Sequence, residues 1–135
     1  MEKEALKRIF EFLEENGEHI IPLPVKIKLA MPIAKEELNV KGDLDLRSFI
    51  IKSLPKGLKI DGELDLNRSE ITSLPRGLIV GGDLNLHMCK NITSLPEGLK
   101  VGGDIIIKRT LLEEYSDNQL REMIKPGFIK GEIFR

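Results

Sequence analysis

Acidic side chains recur along this chain at a fixed spacing. Asp43, Glu63, Asp83 and Asp104 lie 20, 20 and 21 residues apart. Two places further on stand Asp45, Asp65, Asn85 and Ile106, and two beyond those Arg47, Asn67, His87 and Lys108. Carboxylates gathered by such a repeat could hold a hard cation, share a proton in acid–base work, or present charge to a partner. Calcium needs about 6–8 oxygen ligands converging on one point. Two columns on a flat face supply few, and no GGxGxD loop is present. Like charges stacked about 5 Å apart repel, and the basic third column offsets part of that cost. No metal, no cofactor and no catalytic residue is therefore expected. The three columns read as a solvated face that binds protein.

The other reactive side chains give the same answer. Cys89 follows His87 by two residues, the spacing of a nucleophile near a base. It stands, however, in a column with Phe49, Ser69 and Thr110, where an inward structural role is expected. His19 has no metal-binding partner in sight, and His87 reads as a surface strand residue. Asn67-Arg-Ser69 and Asn91-Ile-Thr93 match glycosylation acceptors. They carry no weight without a secretory signal, and MEKEALKRIFEFLEENG lacks the uninterrupted apolar centre of one. Neither GxGxxG nor GxxxxGK[ST] occurs. The chain is expected not to be an enzyme.

Composition bounds the elements that must position these residues. With 135 residues the chain is one domain, 1–135. Charged residues make up 32% and hydrophobic ones 41%, an ordinary globular mixture. Lys and Arg number 21 against 22 Asp and Glu, so there is no basic footprint for nucleic acid. No apolar run approaches the roughly 20 residues of a membrane span. A single Cys excludes an internal disulfide framework and fits a reducing compartment, so a cytoplasmic location is expected. Aromatics are only 4%, so the core must be aliphatic.

That core is written as a repeat over 38–112. Copies begin at Leu38, Leu58, Leu78 and Leu99. Aligned, they give apolar columns at Leu44, Leu64, Leu84, Ile105 and at Leu46, Leu66, Leu86, Ile107, with a glycine column at Gly42, Gly62, Gly82, Gly103. Leu54, Leu74 and Leu95 each precede a Pro-x-Gly corner. One copy cannot bury its apolar side alone, whereas stacked copies share a continuous core. Segments such as GELDL alternate with period two, and successive copies run the same way, which predicts a parallel sheet. Residues 1–37 read as an N-terminal cap: an amphipathic helix over 2–16, with Leu6, Ile9, Phe10 and Leu13 on one face, then an edge strand at Val25, Ile27 and Leu29 guarded by Lys26 and Lys28. Residues 113–135 read as a C-terminal cap, with an S-x-x-Q capping box at Ser116 and Gln119, a short helix, and a short strand containing Phe128, Ile129, Ile133 and Phe134. The predicted fold is mainly β with α caps, a parallel β-solenoid of about four coils.

Leu64-Asp-Leu66-Asn-Arg-Ser69-Glu-Ile71 resembles the leucine-rich-repeat pattern LxLxxN/CxL, with Ser69 at the Asn/Cys position. The ITSLPxGLxV stretch is similar to the short twenty-residue class found in secreted bacterial effectors. At the first consensus leucine this chain has Lys41, Asp61, Gly81 and Gly102, which leaves a leucine-rich-repeat arc and a triangular β-helix both open. The GGDLxL repeat with the tail YSDNQLREMIKPGFIKGEIF is similar to small phage-encoded proteins. That resemblance implies a phage or mobile-element factor in the host cytoplasm that binds and inhibits a host or defence protein. The alternative is a structural or virion component assembling through its solenoid ends, with a homo-oligomer left open.

Overall fold

Leucines stacked at a constant offset make short strands pair in register, copy upon copy. In a computed structural model that describes residues 21–47 and 49–135, this pairing builds two parallel sheets. The first holds β1 (Asn39–Val40), β3 (Lys59–Ile60), β5 (Ile79–Val80), β7 (Lys100–Val101) and β9 (Phe128–Ile129). The second holds β2 (Leu44–Asp45), β4 (Leu64–Asp65), β6 (Leu84–Asn85), β8 (Ile105–Ile106) and β10 (Ile133–Phe134). Every strand is two residues long, and the columns that fall in strands are ladders: Leu44 pairs with Leu64, Leu64 with Leu84, Leu84 with Ile105. The molecule is thus a mainly β, parallel β-solenoid, as the repeat predicts. The alternation in GELDL forms only one of its two sheets; the preceding LKI and LIV stretches form the other.

The side chains inside are the predicted columns. Leu64, Leu66, Ile71, Leu84, Leu86, Ile92, Leu99, Ile105 and Ile107 are all fully buried. Strands stop after two residues because the chain turns sharply behind them. Arg68, Met88 and Arg109 hold φ of 64°, 60° and 60°, a left-handed conformation that breaks a strand. Gly77 and Gly98, in the Pro-x-Gly corners, take φ of 75° and 81°, as the sequence anticipates for a corner.

The glycine column has a different cause. A Cβ on Gly62 would fall 2.8 Å from the Gly42 carbonyl and collide with Asp43 Oδ1. Gly103 meets Gly82 and Asp83 in the same way. Backbone lies on backbone here, and the glycine of one rung leaves room for the aspartate of the rung beneath. The 21-residue copy absorbs its extra residue between Cys89 and Ile92, in a turn at Lys90 and Asn91. Ladder partners on either side keep their register: Leu84 with Ile105, Val80 with Val101.

The ends differ from expectation in specific ways. The predicted edge strand at Val25, Ile27 and Leu29 is not formed: Val25 and Ile27 lie in a helix, α1 (Leu23–Lys28), and Leu29 caps its C-terminal end. Proline in the first turn, at Pro24, suits a helix start and cannot serve a ladder. Helical spacing turns Lys26 and Ile27 together into the core. Lys26 is 1% exposed, and its Nζ donates to Glu37 Oε1 and Oε2 at 2.9 and 2.8 Å. It is a buried ion-pair partner, not an edge guard. A 3-10 helix, Lys35–Leu38, leads into β1. After β8 the chain forms a second 3-10 helix, Leu111–Glu114, and then α2 (Asp117–Met123). The capping box is present: Ser116 Oγ accepts from Gln119 N at 3.1 Å, and Gln119 Oε1 from Ser116 N at 2.8 Å. Leu120 and Ile124 are fully buried. The tail makes two strands, one for each sheet, where one was expected. The expected helix over 2–16 and His19 lie outside the described residues.

Candidate functional site

The three outward columns flank the second sheet, and each Asp column is held by a different part of the backbone. In the first, Asp43 Oδ1 accepts the Glu63 N–H at 2.8 Å, Asp83 Oδ1 the Asp104 N–H at 2.8 Å, and Asp104 Oδ1 the Glu132 N–H at 2.8 Å. A carboxylate oxygen thus bonds the rung above. These bonds offset the repulsion of stacked acids. Glu63, one methylene longer, differs from the aspartates of the column. Burial pushes its carboxyl above its ordinary value, and the charges of Asp65, Asp83 and Asp43 add to the rise.

The second column turns back on its own chain. Asp45 Oδ1 accepts from Arg47 N at 3.0 Å, Asp65 Oδ1 from Asn67 N at 3.0 Å, and Asn85 Oδ1 from His87 N at 2.9 Å. Each is an Asx-type turn that orients the third column relative to the second. Arg47 Nε and one terminal guanidinium nitrogen also donate to Asp45, at 2.9 and 2.7 Å. Arg47 Nε lies 3.4 Å from Asp65 Oδ2, one rung away. The Arg47 hydrogen bonds hold the Asp45 carboxyl below its ordinary value. His87 Nδ1 sits 3.1 Å from Asn67 Oδ1, so the third column is also tied between rungs. Lys108 is exposed at the far end of that column.

Among the predicted site residues, Asp43, Asp45, Arg47, Glu63 and Asp65 come together around a shallow depression of about 280 Å³. Four carboxylates and one guanidinium line it. Asn67 and His87 form a second pair beside it, and Asp83 and Asn85 continue the columns. Towards β10 the second column loses its charge, with half-buried Ile106 and exposed Phe134. Among the described residues no group of three or more His, Cys, Asp or Glu is arranged to hold a metal ion.

Cys89 points inward. It is fully buried, its Sγ donates to Leu66 O at 3.0 Å, and burial pushes its thiol up to about 11. At neutral pH it is a protonated thiol without nucleophilic character. Two of its column partners also bond backbone from inside the coil. Ser69 Oγ donates to Ile51 O at 3.0 Å and accepts from Ile71 N at 3.1 Å; Thr110 Oγ1 donates to Ile107 O at 2.6 Å and accepts from Leu112 N at 3.1 Å.

Sequence reasoning passed over the Lys26–Glu37 pair and Arg121. Glu37 lies 11 residues from Lys26, a spacing no local pattern flags. Comparison with protein-family models, curated proteins and solved structures finds nothing that matches this chain. Among the described residues no helix is long and apolar enough to cross a membrane.

Proposed function

We propose that this chain is a non-enzymatic protein-binding module, leucine-rich-repeat-like, that recognises a partner through the outward columns of its second sheet. The observation that carries the reading is the depression that Asp43, Asp45, Glu63 and Asp65 line together with Arg47. Its second and third columns are fixed by their own turns, so binding them costs little side-chain entropy. An excess of carboxylates there favours a partner that offers lysine or arginine, with Arg47 setting register. The end segments serve as caps on a short stack of about four coils. Resemblance to phage-encoded proteins extends the reading to a mobile-element factor that inhibits a host or defence protein in the cytoplasm.

The test is affinity capture from host lysate, followed by binding kinetics for two variants. Asp45→Lys with Asp65→Lys should keep the fold and lose the captured partner. Association with the unaltered chain should slow as salt rises. A second variant reverses Glu4, Lys7, Glu11 and Glu14. If only that variant loses the partner, the strand face is not the site.

A further inference from the structure

Parallel ladders end on an edge whose carbonyls have no further rung to serve. In the first sheet and the corner after it, each rung offers three acceptors to the next: in one row Leu58 O, Leu78 O and Leu99 O accept from Ile79 N, Lys100 N and Phe128 N, and two further rows follow along the chain. Val40 O accepts from Asp61 N, Ile60 O from Gly81 N, Val80 O from Gly102 N, and Val101 O from Lys130 N, all at 2.7–2.9 Å. Beside this row runs another: Gly42 O accepts from Gly62 N, Gly62 O from Gly82 N, Gly82 O from Gly103 N, and Gly103 O from Gly131 N, at 2.9–3.0 Å. Continued by one step, these last two rows reach Ile129 O and Gly131 O. Both are taken by a single side chain. Arg121, on α2, donates to Ile129 O at 2.6 Å and to Gly131 O at 3.0 Å.

We propose that Arg121 terminates the solenoid by standing in for two of the three backbone donors that a next rung would bring to this stretch, and so closes this edge to a second copy of the chain. The guanidinium suits the task because it presents several N–H donors in a rigid plane. It is half-buried and comes from α2, whose Leu120 and Ile124 are anchored in the core, so it is held in place. A second copy is the occupant it excludes, because the acceptor pair is the one that every copy of this repeat is built to meet. This inference does not depend on the outward face, and it opposes assembly through the C-terminal end.

Arg121→Ala and Arg121→Lys in the full chain test it. Mass is measured by sedimentation over a range of concentrations, and binding of a labelled peptide of residues 126–135 by anisotropy. The unaltered chain should show neither self-association through this edge nor peptide binding. Arg121→Ala should self-associate and bind the peptide, and amide exchange at Lys130 and Gly131 should be at least about tenfold faster. Arg121→Lys, with one nitrogen for two carbonyls, should fall between; it carries the test if the alanine variant unfolds. Faster exchange in a chain that stays monomeric and binds no peptide would make Arg121 a stabiliser only and overturn the proposal. Unfolding of both variants, or peptide binding by the unaltered chain, would also overturn it.

Discussion

Two acidic columns stand two residues apart on the same outward surface and do opposite things. Asp43, Asp83 and Asp104 use an oxygen on the N–H of the rung above, so they belong to the solenoid's construction. Asp45 and Asp65 use theirs on their own turn, two residues on, and hold the third column in position. The lesson is that residue type does not separate a carboxylate that ties rungs together from one that orders its own turn. What separates them is whether the accepted N–H lies across the ladder or along the chain. In the proposed binding face the first column is therefore tied into the ladder, while the second and third are set by their own turns.

The strongest way to break this comparison lies just inside it. Leu64 is fully buried between Leu44 and Leu84, so Leu64→Asp strands a carboxylate in an aliphatic core. A loss above about 4 kcal/mol is expected, seen as a lost cooperative melt in circular dichroism. Asp65→Ala, the next residue, should cost no more than about 1 kcal/mol. Gly103→Ala comes second. Its methyl would strike Asp83 Oδ1 and the Gly82 backbone, for about 2–3 kcal/mol by denaturant titration.

A sharper separation of the columns comes from paired substitutions. Asp83→Ala should cost about 1–2 kcal/mol by removing the acceptor for Asp104 N, and Asp83→Asn less, since an amide oxygen still accepts. Asp45→Asn should change stability by under about 0.5 kcal/mol. Equal costs for Asp83→Ala and Asp45→Ala would erase the distinction.

Titration gives the smallest effect, and its sign differs between the columns. Asp45 has a lowered carboxyl, so its contribution is present above its unfolded value and is lost as pH falls through the folded one. Glu63 is raised, so its relative contribution is full below its unfolded value and is lost as pH rises through the folded one. Glu63→Gln should then be neutral to slightly stabilising at pH 7. It should also flatten the fall in melting temperature just above the usual glutamate range. Cys89→Ser should keep the fold, since Ser69 makes an equivalent inward bond, and a substantial loss of stability would show that sulfur packing matters more than the bond.

Much of the solenoid was legible because burial in a repeat is periodic. Leucine columns marked the core, Pro-x-Gly marked corners, and the spacing of Ser116 and Gln119 marked a helix start. The first sheet was harder to see, because two-residue strands such as Lys59–Ile60 leave almost no alternation to detect. Lys26 misled for a physical reason: Val-Lys-Ile-Lys-Leu alternates like a strand, yet Pro24 and the distant Glu37 make it a helix with a buried ammonium. Left-handed turns at Arg68, Met88 and Arg109 sit on residues that carry no preference for that conformation. At the outward face, the columns were visible in sequence. Which oxygen reached across the ladder and which turned back depended on backbone geometry.

The extra residue of the third copy has a practical meaning for engineering. Lys90 and Asn91 sit in a turn whose lengthening left the pairs on both sides unshifted. Loop entropy rises slowly with length, so a longer insert at this point costs little more than the one already present. An epitope or a fluorophore-bearing peptide spliced between Lys90 and Asn91 would ride outside the stack, leaving the outward columns unobstructed for a capture experiment. The irregular copy thus marks the solenoid's natural splice site.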